Sequence, residues 1–188
     1  MKLLIIDNYD SFTYNLVQLF ELAGVSDYVI VKNDKLDELQ TDDFDRIIIS
    51  PGPGIAKEAN QLMWFLKQYY KTKPTLGICL GHEAIAELFG GKLVPMNESM
   101  HGIKNQATIL KSNGIFRGIP TNISIGHYHS WIIDDNTLPN EIEVIMRDEN
   151  NLNMALKHVK YNLIGFQFHP ESIMTDYGLQ MIKNWLAI

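Results

Sequence analysis

Short runs of consecutive apolar residues alternate with helically spaced ones through the first half of the chain. Residues 3–6, 28–31, 46–49 and 75–78 are almost uniformly apolar, the pattern of strands covered on both faces. Between the first two runs, residues 11–23 place Tyr14, Val17, Leu19, Phe20 and Ala23 towards one side of a helix that Gly24 stops. Residues 34–39 predict a short helix, 59–70 a longer one, and 81–89 a helix stopped by Gly90 and Gly91. This β-α-β-α order predicts a parallel sheet with helices on both faces.

After Gly91 the pattern shortens. Residues 92–95, 106–110, 122–128, 143–147, 153–157 and 163–167 read as brief strands. Turn signals separate them: Ser112-Asn113-Gly114, Asp134-Asp135-Asn136 and Asp148-Glu149-Asn150-Asn151. They predict antiparallel additions at a sheet edge, and residues 177–186 predict a closing helix. No repeat, low-complexity tract or linker interrupts the chain, so residues 1–188 are expected to form one α/β domain.

Composition narrows the function classes. Of 188 residues, 46% are apolar and 20% charged, enough for a sizeable core. The net charge is −6 with no basic cluster, which argues against nucleic acid as the main partner. A lone cysteine forms no intrachain disulfide, and that fits a reducing compartment. The apolar stretch after Met1 is too short for a signal peptide, and no run approaches a membrane span. The expected address is the cytoplasm, with no membrane association.

That single cysteine, Cys79, stands in Gly77-Ile78-Cys79-Leu80-Gly81, between an apolar run and a helical pattern. This is a sulfur version of the nucleophile elbow, in which a strained strand-to-helix turn aims the side chain outward. The following N–H groups and the helix N-terminus are expected to favour the thiolate over a free thiol of pKa about 8.5. Read alone, a lone cysteine is more often a small buried apolar residue. The glycine frame and the groups downstream favour a nucleophile.

Those groups lie in Phe168-His169-Pro170-Glu171-Ser172. In extended chain, residues i and i+2 face the same way about 6.6 Å apart. Glu171 is therefore placed to hold one imidazole nitrogen of His169, leaving the other for the Cys79 proton. Pro170 biases His169 to an extended backbone. Five other histidines compete: His82, His101, His127, His129 and His158. Of the six, only His169 is flanked by Pro and Glu at the end of an apolar strand. His82 is expected to face away from the thiol, while His127 and His129 are candidates for the pocket rim. No paired His/Cys spacing points to a metal site.

Ser50-Pro51-Gly52-Pro53-Gly54 closes the third apolar run. Glycine there permits close approach of the backbone to a ligand. The N–H groups of Gly52 and Leu80 are the candidate donors to an oxyanion, each worth about 2.7–4 kcal/mol of barrier. A plain Pro/Gly chain reversal is the competing reading of this loop.

With these motifs in this order, the chain resembles the class I glutamine amidotransferases over essentially its whole length. The opening Ile6-Asp7-Asn8-Tyr9-Asp10-Ser11-Phe12-Thr13-Tyr14-Asn15-Leu16 narrows the resemblance to glutaminase subunits of chorismate-using synthases, anthranilate and aminodeoxychorismate synthase component II. The resemblance implies a three-layer, flavodoxin-like α/β/α fold. It implies that Cys79 attacks the side-chain amide of L-glutamine, that His169-activated water hydrolyses the thioester, and that Glu171 orients His169. Gly52, Pro53 and Gly54 match the glutamine-contacting loop, Leu80 an oxyanion donor, and Ser130 and Trp131 a segment whose backbone holds the amino-acid end of the substrate. Ammonia would pass to a chorismate-binding component I. No cofactor is implied for this subunit, and Mg²⁺ belongs to the partner.

The chain departs from the family pattern at several positions. Glu83 stands where the family usually has a substrate-contacting Gln, and an ionised carboxylate there would repel the substrate carboxylate and oppose a thiolate. Pairing with the substrate ammonium and a carboxyl that stays protonated are the alternatives; weakened glutamine binding is the expectation. His101-Gly102-Ile103-Lys104 replaces the usual His-Gly-Lys, His127 stands for an Arg, and Ile55-Ala56-Lys57-Glu58 lacks the usual acidic-proline pattern. Anthranilate synthesis is the favoured pathway and aminodeoxychorismate synthesis the close alternative. A free-standing γ-glutamyl hydrolase and a non-catalytic regulatory subunit stay open.

Overall fold

The computed structural model describes residues 1–39, 44–112 and 114–188. The expected turn around Asn113 therefore lies partly outside the described residues. Among the described residues nine strands form one sheet: β1 (Leu3–Asp7), β2 (Tyr28–Lys32), β3 (Arg46–Ile49), β4 (Thr75–Ile78), β5 (Lys92–Ile109), β6 (Asn122–Asp134), β7 (Ile142–Asp148), β8 (Asn153–His158) and β9 (Leu163–Phe166). Their order is β2-β1-β3-β4-β9-β8-β7-β5-β6. The first five are mutually parallel, and β8, β7, β5 and β6 continue antiparallel from β9. The expected antiparallel additions thus occupy one edge.

The α-helices that cover the sheet are α1 (Thr13–Leu22), α2 (Leu62–Tyr69), α3 (Leu80–Leu88) and α4 (Gly178–Leu186). Strand β1 explains why its sequence is apolar throughout. Leu3 and Ile5 pack into one core with Leu16 and Phe20 of α1 and Met181, Ile182 and Trp185 of α4. Leu4 and Ile6 pack into the other with Leu62, Phe65 and Leu66 of α2 and Ala84 and Ile85 of α3. A strand buried on both faces has no polar side to alternate with.

Several boundaries differ from the expectation. Helix α1 buries Thr13, Leu16, Val17 and Phe20, whereas Tyr14 is 69% exposed. The i, i+3, i+4, i+7 set beginning at Thr13 is the buried stripe, because the Thr13 hydroxyl bonds the buried Asp7 carboxylate (3.1 Å). Residues 36–38 make a single 3₁₀ turn instead of a short helix. Residues 56–58 make another, ahead of α2. Residues 92–95 and 106–109 belong to one strand, β5, of 18 residues, which ends one residue before the expected boundary at Leu110. It pairs with the 13-residue β6 through two register irregularities, between Pro95 and Met100 and between His101 and Ile103. The intervening polar residues are exposed, so no apolar alternation marks them as strand.

Candidate active site

The chain leaves β1 for β2 on one side and returns to β3 on the other. A crevice forms at such a reversal, outside the carboxyl ends of the strands. Four segments reach that edge: residues 8–12 after β1, 50–54 after β3, Cys79 after β4 and 167–172 after β9.

Cys79 sits between β4 and α3 with φ 51° and ψ −100°. A non-glycine residue held there stores strain of about 1–3 kcal/mol, as a nucleophile elbow requires. Both flanking glycines serve close approach. A Cβ on Gly77 would overlap the Gly81 carbonyl, and one on Gly81 would lie 2.8 Å from the Ile49 carbonyl oxygen. The Cys79 N–H donates to Phe166 O (2.7 Å), tying the elbow to β9. The thiol's ionisation runs against expectation. Burial above all, then Glu83, Asp10 and Glu171, push its pKa well above the ordinary value, and the Leu80 N–H opposes them. One helix N-terminus does not outweigh a dry setting with three carboxyl groups.

His169 Nδ1 lies 2.7 Å from Glu171 Oε1, both side chains buried. A carboxylate only accepts, so Nδ1 carries a proton and Nε2 is the nitrogen that Glu171 leaves free. That Nε2 is buried and has no hydrogen-bond partner among the described residues. The i, i+2 contact forms as expected, on a turn and not on extended strand. The turn is pinned by the His169 carbonyl, which accepts from Ser172 N (3.2 Å) and Thr175 Oγ1 (2.6 Å). The imidazole meets the edges of Phe12 (5.7 Å between centroids) and Tyr128 (5.0 Å).

One pocket of about 140 Å³ is lined by Gly52, Pro53, Gly54, Cys79, Glu83, Ser130 and Trp131, with His101, Tyr128 and His129. It gathers the residues of the expected substrate-binding set, Gly52, Pro53, Gly54, Glu83, Ser130 and Trp131, while Leu80, the expected oxyanion donor, does not line it. A second pocket of about 370 Å³ shares Gly52, Pro53, Cys79, His101 and Tyr128, and adds Asp10 and His169 among others. Cys79 therefore faces both. Glu171 lines neither and reaches the site through His169. Gly52 packs so closely that a Cβ would lie 2.5 Å from Asn8 Cβ and 2.8 Å from Leu80 Cδ2.

A chain of asparagines, buried at Asn8 and Asn33 and exposed at Asn60, holds that loop. Asn8 Nδ2 donates to Ser50 O (2.8 Å), Asn33 Nδ2 to Asn8 Oδ1 (3.0 Å), and Asn60 Nδ2 to Asn33 Oδ1 (2.7 Å). Sequence reasoning missed these supports, because asparagine carries no motif and the partners are 25 to 42 residues apart. It also missed Gln167, whose Nε2 bonds Glu83 Oε1 (3.1 Å) and approaches Cys79 Sγ (3.8 Å). Burial raises Glu83 to about 8, so its carboxyl is neutral at pH 7.

The competing histidines separate. His82 is fully buried beside Gly165, and burial lowers it to about 3. His129 lines the pocket, whereas His127 is fully buried and lines neither. His129 Nδ1 lies 2.9 Å from Trp131 O, so that nitrogen donates. Its Nε2 then accepts from His127 Nδ1 (3.0 Å). Burial lowers both to about 4, which keeps the pair neutral. Among the described residues, no group of three or more His, Cys, Asp or Glu is placed to hold a metal ion.

Known proteins resemble this chain over nearly all of its length. A protein named anthranilate synthase component 2 from Lactococcus lactis is 42% identical over 188 residues, covering 98% of this chain and 93% of its own. One named aminodeoxychorismate synthase component 2 from Escherichia coli is 39% identical, covering 98% of each. Among solved structures, a candidate GMP synthase subunit from Thermoplasma acidophilum superposes with a TM-score of 0.86 at 26% identity, covering all of this chain and 92% of that one. The family profile described as glutamine amidotransferase class-I matches residues 4–188. With a cysteine elbow, a carboxylate-held histidine and a glycine loop at one sheet edge, the chain belongs to the class I glutamine amidotransferases.

Proposed function

We propose that this amidotransferase hydrolyses L-glutamine through a Cys79 thioester and delivers the ammonia to a chorismate-binding partner for anthranilate synthesis. The observation that carries this reading is the pocket joining Cys79, the Gly52–Gly54 loop, Glu83 and the Ser130-Trp131 segment, with His169 lining the adjoining pocket that Cys79 also faces.

A thiol kept neutral by burial needs a base at the moment of attack. His169 Nε2 has no partner among the described residues and takes the Sγ proton while the sulfur adds to the γ-amide carbon. The N–H groups of Leu80 and Gly52 receive the developing oxyanion. Collapse breaks the C–N bond, and His169 returns the proton to the leaving ammonia. Water, deprotonated by the same nitrogen, then cleaves the thioester to glutamate and restores the thiol. Glu171 keeps the imidazole in the Nδ1–H tautomer throughout.

The relatives named as components of anthranilate and of aminodeoxychorismate synthases are about equally similar to this chain. Aminodeoxychorismate synthesis is therefore the second reading of the pathway. The test is glutamine-dependent product formation by the chain with each kind of component I. Anthranilate formation supports the first reading and aminodeoxychorismate formation the second. Full glutaminase activity without any partner would favour a free-standing γ-glutamyl hydrolase. Absence of turnover in every combination would point to a non-catalytic subunit.

A further inference from the structure

We propose that Glu83 and Gln167 form a buried acid–amide pair, in which Glu83 serves as a neutral hydrogen-bond donor to bound glutamine and Gln167 positions both Glu83 and the Cys79 thiol. This deepens the glutaminase reading and rests on it.

The geometry is local and unusual in its connectivity. Gln167 immediately follows β9, is fully buried, and is fixed by its backbone N–H to Met154 O (2.9 Å). Its side-chain nitrogen has two hydrogens. One bonds Glu83 Oε1 at 3.1 Å, and the same nitrogen lies 3.8 Å from Cys79 Sγ. One amide thus spans the nucleophile and a residue a turn further along α3. With Oε1 taken by Gln167, Oε2 is the oxygen of Glu83 left to meet a ligand in the pocket it lines.

Among the described residues no cation is at hand to hold a carboxylate at this place. On α3 itself the titratable neighbours are Cys79, neutral His82 and Glu87, and Glu87 is paired with Lys57 at 2.8 Å. Across the pocket stand His101 from β5 and His129 from β6, the latter neutral. Beyond the thiol are Asp10, Glu171 and His169. No described Lys or Arg lines the pocket. A buried carboxyl with an amide donor and no counter-ion keeps its proton. A neutral acid offers one O–H donor, and the carboxylate and carbonyl oxygens of glutamine are acceptors. Ionisation replaces that donor with a charge facing the substrate carboxylate and the reacting sulfur.

The test uses the full chain, with its activating partner where turnover is measured, as wild type, Glu83→Gln and Gln167→Met. Thermal melts first establish that each variant folds. Glutaminase kinetics between pH 6 and 9.5 are expected to show wild-type KM rising about tenfold per pH unit above pH 8, with Glu83→Gln flat over that range. Iodoacetamide alkylation of Cys79, the only cysteine, is followed over the same range without partner or substrate. Its pH midpoint is expected to fall in Glu83→Gln and to rise in Gln167→Met. Superimposable wild-type and Glu83→Gln profiles in both readouts would overturn the proposal. A shifted alkylation midpoint with no glutamine turnover under any partner would overturn the donor role and the glutaminase reading together, and leave only the pair.

Discussion

At the scale of single residues, the account turns on three side chains and one backbone conformation. Cys79→Ala should abolish glutamine-dependent synthesis by the partnered enzyme while ammonia-dependent synthesis persists, because ammonia bypasses the thiol. Loss of both activities would instead make Cys79 a structural residue. Glu83 gives a stability prediction independent of activity. Its carboxyl ionises near pH 4.5 when unfolded but near 8 when folded. The folded form therefore loses stability as pH rises through this window, by up to about 1.4 kcal/mol per pH unit. Glu83→Gln should melt higher than wild type at pH 8 and match it below pH 4.5. Equal differences at both pH values would contradict the placement. Cys79, His169 and Glu171 were legible in the sequence because each lies in a short contiguous motif. Gln167 was not, since its role arises only when β9 sets it beside α3. The thiol's raised pKa was not legible either, because burial and the approach of Asp10 and Glu171 are properties of the assembled edge.

Among elements, the strands and helices of the parallel half were readable because double-sided burial leaves uniform apolar runs. The long arm of β5 and β6 was readable only in pieces, since the middle of β5 is exposed and carries no apolar alternation; side-chain bonds from His101 to Ser130 (3.2 Å), Gln106 to Ser124 (3.1 Å) and Thr108 to Asn122 (2.9 Å) add to its backbone pairing. This arm carries His101, Tyr128, Ser130 and Trp131 to the pocket, so the site takes residues from both halves of the chain. Helix α4 is the element farthest along the chain from the elbow, and it packs Trp185 against Phe20 of α1 (6.1 Å between centroids). Trp185→Ala should cost about 3–5 kcal/mol in urea unfolding. Its effect on KM for glutamine should be small at temperatures where the variant remains folded. A large KM change with little loss of stability would mean that α4 communicates with the site.

For the whole molecule, the sheet order places the ends of β1, β3, β4 and β9 side by side, where Asp7, Asn8, Ser50, Gln167 and His169 are buried. Three buried histidines add an acid liability. His82, His127 and His129 titrate near 3, 4 and 4 when folded, against about 6.5 unfolded. Their contribution to stability is therefore full above pH 6.5 and falls as pH drops towards 4, opposite in sign to that of Glu83. Unfolding at pH 5 should take up close to three more protons through these side chains than it does at pH 8, a difference readable from the slope of stability against pH. A flat stability profile between pH 6.5 and 4.5 would show that the three rings are not kept neutral.

Glutamate release from glutamine by the pure chain, alone and with each candidate chorismate-binding subunit, tests the central claim most directly. The account predicts weak release alone and strong stimulation by one partner, all of it lost in Cys79→Ala. Release that survives in Cys79→Ala would contradict it.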